Sequence, residues 1–274
     1  MPNGLNNTNG TQALPCCCFN IEGLVDASLT DDTTFLRNVA VSAIQDVVPQ
    51  QTSNSVSIDS KRIYLSGHSN GCISSLTMAA VQSDLVAAVC CHAGVVAQAS
   101  FPDSYQPTPI WVLVHGTMDF LLPYHGFSDT SVYGFPQYSM LGALETHDVF
   151  AKANGCNIST SKIIEIATPD NKKVTQYISS DCVNNSTVLE LVSLGDVGHN
   201  PYLNFAPIEN GTVPIKVDTT QLAWKFCSQH SLDVEPELTL VTPPDIQSDA
   251  SVPTAFFWTG TMMGLSLVGM LFLC

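Results

Sequence analysis

Gly67-His68-Ser69-Asn70-Gly71 sets a serine between two glycines, directly after the run Arg62–Ser66 and before the small-residue stretch Asn70–Gln82. A serine hydroxyl is a weak nucleophile until a neighbouring base takes its proton. The context suits that chemistry, because a serine on a tight strand-to-helix turn is held exposed and strained. The glycines leave room where a Cβ would strike the neighbouring strand and helix. The start of the helix offers its N–H groups and its positive dipole end to a developing oxyanion. Ser69 is therefore the expected nucleophile, and the backbone N–H of Asn70 the expected oxyanion donor.

The base and its orienting acid should follow in the chain, in the order serine, acid, histidine. His115-Gly116-Thr117-Met118-Asp119 comes just after the apolar run Ile110–Val114, which puts Asp119 on the rim where open α/β sheets hold their ligands. Asp103 and Asp129 lie farther from a strand end and rank lower. Gly195-Asp196-Val197-Gly198-His199 follows the run Val188–Leu194, and His199 is the one histidine of seven on such a loop downstream of both other candidates. His68 lies inside the serine turn, His92 and His115 close strands, and His125, His147 and His230 sit in loop or helix-like contexts. Asp196 reads as a turn residue.

These three side chains need a sheet to bring them together. Arg62–Ser66, Leu85–Cys91, Ile110–Val114 and Val188–Leu194 are continuous apolar runs, the pattern of parallel strands covered on both faces. Between them come helical patterns. Asp31 and Asp32 can cap a helix whose apolar face is Phe35, Leu36, Val39, Ala43, Ile44 and Val47. Asn70–Gln82, Leu141–Ala153 and Gln221–Cys227 supply three more helices. Strand and helix alternate, so the fold class is α/β with a largely parallel sheet.

The chain has 274 residues, 45% of them hydrophobic and 12% charged, which excludes global disorder. A net charge of −15 with nine Lys and Arg excludes nucleic-acid binding, which needs clustered cations. Ten cysteines favour an oxidising compartment. Six Asn-X-Ser/Thr sequons, at Asn6, Asn9, Asn157, Asn184, Asn185 and Asn210, favour glycosylation in the secretory pathway. Met1–Gly10 is polar and is no secretory signal.

The chain resembles the polyhydroxybutyrate depolymerase and feruloyl esterase family of secreted α/β-hydrolases. The residues that carry the resemblance are Pro2-Asn3-Gly4, Asp31-Asp32 with Phe35-Leu36, Ile58–Tyr64 leading into Gly67–Gly71, and His115–Asp119 with Pro123-Tyr124 and Gly126. Cys156, Cys182, Gly198-His199, Trp224 and Phe226 complete it. The resemblance implies an α/β-hydrolase fold and hydrolysis of carboxylic esters through an acyl-enzyme, without metal or cofactor. It also implies a Cys156–Cys182 disulfide near the histidine loop. Cys72 stands where the family often has a second glycine, and Asn200 where it has an aromatic residue. Members normally begin with several strands before the Pro-Asn-Gly loop, so the resemblance implies that the N-terminal part is missing here and that the elbow strand is an open edge.

Three regions are expected: a hydrolase domain over residues 1–230, a linker over 231–254, and an apolar segment over 255–274. Ala255–Cys274 has no charges and is long enough to span a bilayer. A transmembrane helix and a removable lipid-anchor signal at Ser248-Asp249-Ala250 both fit, placing the protein at the cell surface or outside the cell. The expected partner is an ester substrate, of polyhydroxyalkanoate or feruloyl/acetyl-polysaccharide type. A catalytically inactive surface protein with a hydrolase fold and a serine peptidase are the rival readings, since one triad serves several chemistries.

Overall fold

The computed structural model describes residues 32–47, 57–96, 110–127, 140–166, 173–183, 188–199, 218–241 and 270–273. Among these residues, seven strands form one sheet: β1 (Ile63–Ser66), β2 (Ala88–His92), β3 (Ile110–Gly116), β4 (Lys162–Ile166), β5 (Val174–Ser179), β6 (Val188–Leu194) and β7 (Met270–Leu273). Their spatial order is β4-β5-β6-β3-β2-β1-β7. The centre is parallel, β1 against β2, β2 against β3 and β3 against β6. β4, β5 and β7 are added antiparallel at the two edges.

The four central strands are the continuous apolar runs, and both of their faces are covered. Alternation sends Ile63, Leu65, Val89, Cys91, Trp111, Leu113, Leu189 and Leu191 into one core. On that side lie α1 (Asp32–Ser42), α2 (Asn70–Val81) and α3 (Ala143–Ala153). Tyr64, Ala88, Cys90, Val112, Val114, Val192 and Leu194 face the other way, toward Ala223 and Cys227 of α4 (Thr219–Cys227). Because β1, β3 and β6 are mutually parallel, their carboxyl ends meet at one rim, and each ends in a loop that bears one expected reactive residue.

Two disulfides fasten the layers. Cys90 and Cys91 are neighbours on β2 and so point to opposite faces. Cys91 bonds Cys72 of α2, and Cys90 bonds Cys227 of α4. Cys156 and Cys182 are joined as the resemblance implied, but not beside the histidine loop. β5 runs antiparallel to β6 with Ser179 opposite Leu189, so Cys182 lies near the start of β6 and His199 follows its far end. Three disulfides among the described residues accord with an oxidising compartment.

Other expectations need correction. The inward face of α1 combines Asp32, Thr33, Arg37, Ala40 and Val41 with the expected Leu36, which packs half-buried against the core as Ile44 does just beyond the helix, while Phe35 and Val39 are each 40% exposed. Arg37 decides this. Its guanidinium donates to Gln82 Oε1 (2.8 Å), pairs with Asp84 (3.2 Å) and donates to Glu237 O (2.8 Å), which lets its long stem lie inward. In the span expected as a linker, residues 231–241 are laid along the domain. Lys61 Nζ donates to Asp233 O (2.9 Å), Gln45 Nε2 donates to Leu238 O (2.8 Å), and Val241 N donates to Asn38 Oδ1 (2.9 Å).

The expected open edge of β1 is paired. β7 runs antiparallel along it, with Ile63 opposite Leu273 and Ser66 opposite Met270, so backbone N–H and C=O groups of the last apolar residues complete the ladder. Residues 255–269 lie outside the described residues, as do Asn6, Asn9, Asn184, Asn185, Asn210, Asp103 and Asp129. Among the described residues, no helix is long and apolar enough to cross a membrane.

Candidate active site

Ser69 follows β1 by three residues and stands at the head of α2. Its backbone is left-handed at φ 57°, ψ −123°, a strained conformation for a residue with a side chain. Two backbone bonds hold it there. Ser69 N donates to His92 O (2.9 Å), and His92 N donates to Gly67 O (2.9 Å), which ties the turn to the end of β2. Gly67 is required by contact, since a Cβ there would lie 2.3 Å from the carbonyl carbon of Gly71. Asn70 opens α2, so its N–H lies at the positive end of that helix.

Asp119 reaches the same rim through a tight turn after β3. Its Oδ1 accepts from Leu121 N (2.9 Å) and Leu122 N (2.8 Å), leaving Oδ2 to face inward. The loop of His199 is zipped to this turn. Thr117 N donates to Leu194 O (2.9 Å), Met118 N to Val197 O (2.9 Å), and Asp196 N to Thr117 Oγ1 (3.1 Å). Gly116 permits the approach, because a Cβ there would lie 2.3 Å from Val197 O. Asp196 is the turn residue expected, exposed and at φ 56°.

The structure brings the three distant side chains together. His199 Nδ1 lies 2.8 Å from Asp119 Oδ2, and His199 Nε2 lies 2.8 Å from Ser69 Oγ. The carboxylate only accepts, so Nδ1 carries the proton and Nε2 presents its lone pair to the serine hydroxyl. Asp119 and His199 are 5% and 7% exposed, whereas Ser69 is partly open to solvent. A buried carboxylate and ring behind a reachable hydroxyl is an arrangement for nucleophilic attack assisted by a general base.

Three further histidines surround this line, and sequence reasoning assigned them no part in it. His68 Nε2 donates to the carbonyl of His199 (2.7 Å), and the two rings are 5.0 Å apart. Burial, then the nearby His199 ring, depresses the His68 pKa to about 4. His92 ends β2 with Nε2 3.3 Å from Thr219 O, and burial likewise depresses it to about 4. His115, fully buried, donates from Nε2 to Leu122 O (2.9 Å) and lies 3.5 Å from Asp119 Oδ2. Its pKa is also lowered by burial, against the pull of the Asp119 charge. What the sequence offers for them is position alone, since each stands at or just past the carboxyl end of a strand, while their carbonyl partners leave no mark in the residue pattern.

Tyr124 adds a buried bond, 2.5 Å from its hydroxyl to Ser193 Oγ, that joins the segment after Asp119 to the end of β6. Met118, Phe120 and Leu121 flank Asp119 with exposures of 50%, 46% and 39%, an apolar rim beside the acid. A second serine–histidine–aspartate line, Ser179–His147–Asp148, lies at the sheet's other end. Ser179 and His147 are buried there and the Asp148 side chain is half exposed, so the hydroxyl of that line is closed to solvent. Among the described residues, no group of three or more His, Cys, Asp and Glu could hold a metal ion.

Two comparisons with known proteins found similarities. A family model described as phospholipase/carboxylesterase matches residues 6–135, just under half of the chain and including Ser69 and Asp119. Among solved structures, the chain is similar to an acetyl xylan esterase from Aspergillus awamori at 17% identity, over 74% of this chain and 70% of that one, with a TM-score of 0.43. No curated protein matches the chain. The mostly parallel sheet with helices on both faces, together with the family match, is an α/β-hydrolase fold, and the match supports an esterase-type hydrolase.

Proposed function

We propose that the protein is a serine esterase that cleaves carboxylic esters through an acyl-enzyme on Ser69. The observation that carries this reading is the His199 ring, 2.8 Å from Ser69 Oγ on one side and 2.8 Å from Asp119 Oδ2 on the other. Ser69 Oγ attacks the ester carbonyl carbon while His199 Nε2 takes the hydroxyl proton. Asp119 steadies the imidazolium and keeps Nδ1 protonated. The carbonyl oxygen, now negative, lies at the start of α2 beside the N–H of Asn70. On collapse the ester C–O bond breaks and His199 returns the proton to the departing alcohol. Water then repeats the sequence on the acyl-serine, which frees the acid and restores Ser69.

The substrate class proposed is an ester of a polymer or polysaccharide, as the resemblance in the sequence implies. The exposed Met118, Phe120 and Leu121 beside the acid suit an apolar acyl or aryl group arriving from solvent. Attachment to a membrane through residues 255–274 is proposed as an alternative placement of the tail. A bilayer span of that length needs the residues that form β7, so pairing with β1 and insertion exclude each other. Release from cells by a phosphatidylinositol-cleaving phospholipase would identify a lipid anchor.

Hydrolysis of p-nitrophenyl acetate by the purified protein is the direct test. Turnover that disappears in Ser69→Ala is expected. Equal turnover in the two proteins, or no labelling of the wild type by a fluorophosphonate probe, would leave a non-catalytic binding protein as the better reading.

A further inference from the structure

The base sits near the end of a loop, yet its ring must hold two bonds at once. Val197 is secured by Met118 N, two residues before the histidine. The backbone of His199 itself is held from another direction, by the side chain of the residue that precedes the nucleophile. His68 cannot drift, because the backbone on either side of it is bonded to His92. Its ring projects from that fixed point to the His199 carbonyl at 2.7 Å and lies 5.0 Å from the His199 ring at 58°.

We propose that His68 is a positioning residue for the base: its Nε2–H grips the His199 carbonyl and so keeps the imidazole in the slot between Ser69 and Asp119. A carbonyl oxygen only accepts, so His68 carries a proton on Nε2, and burial of the ring keeps it in the neutral Nε2–H tautomer. That neutrality matters. A charged ring 5 Å from His199 would oppose the imidazolium formed as the serine loses its proton. The groups that face His68 are His199, His92 and Asp119, and burial of its ring outweighs the favourable pull of Asp119 on a charge. Nucleophile and base are thereby joined twice, once by the bond that transfers the proton and once through the neighbouring residue. The second link holds their spacing when the first is remade during turnover.

The proposal rests on the esterase reading, and its test separates the two. His68→Leu removes the donor at similar size, and His68→Asn offers an amide too short to reach should the leucine variant not fold. His68→Gln replaces the Nε2–H with an amide N–H of similar reach. Turnover of p-nitrophenyl acetate is measured per site titrated by a fluorophosphonate, so that misfolded protein is not counted. The loss variants should fall in kcat by about ten- to a hundredfold, the cost of a small misplacement of a catalytic group, with KM little changed. The glutamine variant should recover most of that loss. Equal kcat in all variants, or equal loss in leucine and glutamine variants, overturns the proposal. If the wild type shows no activity dependent on Ser69, the esterase reading fails separately. The clamp is then read from the proton NMR signal of His199 Nδ1–H against Asp119, which should vanish in His68→Leu and persist in His68→Gln. Its persistence in His68→Leu overturns the clamp regardless of activity.

Discussion

Replacing Asp119 by asparagine tests how the acid works. Oδ1 accepts from Leu121 N and Leu122 N, and an asparagine carbonyl oxygen can keep both bonds. The NH2 group then has to face His199 Nδ1, 2.8 Å away, where two donors cannot meet. The ring answers by moving its proton to Nε2, which turns a proton acceptor into a donor aimed at Ser69 Oγ. Wrong-tautomer loss of this kind lowers kcat by about 10⁴-fold in the serine protease triad, about 5.5 kcal/mol of barrier. The stability cost is smaller, because only the charge-assisted bond to His199 is lost, about 1.5–3 kcal/mol. At about 2–4 °C per kcal/mol for a domain this size, the melting temperature should fall by roughly 3–12 °C. Stopped-flow hydrolysis of p-nitrophenyl acetate at pH 7.5 and calorimetry give the two numbers. A kcat within about tenfold of wild type would refute the tautomer argument. So would a loss of activity explained entirely by unfolding.

Gly67→Ala should cost at least about a hundredfold in kcat, because its Cβ would meet the Gly71 backbone at 2.3 Å and the serine turn must shift. Steady-state kinetics on the soluble protein checks this, and an unchanged kcat contradicts it. Removing Cys90–Cys227 frees a loop of 137 residues, for which chain entropy predicts about 5 kcal/mol, comparable with the whole stability of many domains. The double serine variant should melt well below wild type in a thermal scan, and an unchanged midpoint would show that the staple is idle. His68 and His92 have folded pKa values near 4, below the usual 6.5, so the unfolded chain binds more protons between those limits. Stability should be complete above about pH 6.5 and decline as pH falls toward 4. Melting curves across that range should flatten in His92→Gln, and an equally steep fall in the variant would contradict this.

The central strands were legible because both of their faces are buried, which leaves continuous apolar runs such as Ile110–Val114 and Val188–Leu194. β4 and β5 escaped notice. At the edge, Lys162-Ile163-Ile164-Glu165-Ile166 mixes charge with apolar residues, and Ile163 is 63% exposed. The face of α1 was legible only in part, at Leu36 and Ile44, because Arg37 lies inward through partners on Gln82, Asp84 and Glu237 that are distant in the chain. Ser69, Asp119 and His199 could be picked out because each stands just past a strand. The roles of His68 and His115 could not, since a backbone carbonyl as partner leaves no mark in the residue pattern. The Cys72–Cys91 and Cys90–Cys227 bonds had a readable cue, two adjacent cysteines on a strand covered on both sides, but their partners depend on helix placement.

The central claim is that His199 draws the proton from Ser69 so that an ester acylates that oxygen. Protein mixed with p-nitrophenyl acetate at mildly acidic pH, quenched quickly and mapped by peptide mass spectrometry, reports this step alone. The account predicts one acetyl group, located on Ser69, and its near absence over the same interval in His199→Ala. Acetylation elsewhere, or on Ser69 at an undiminished rate without the histidine, would contradict it.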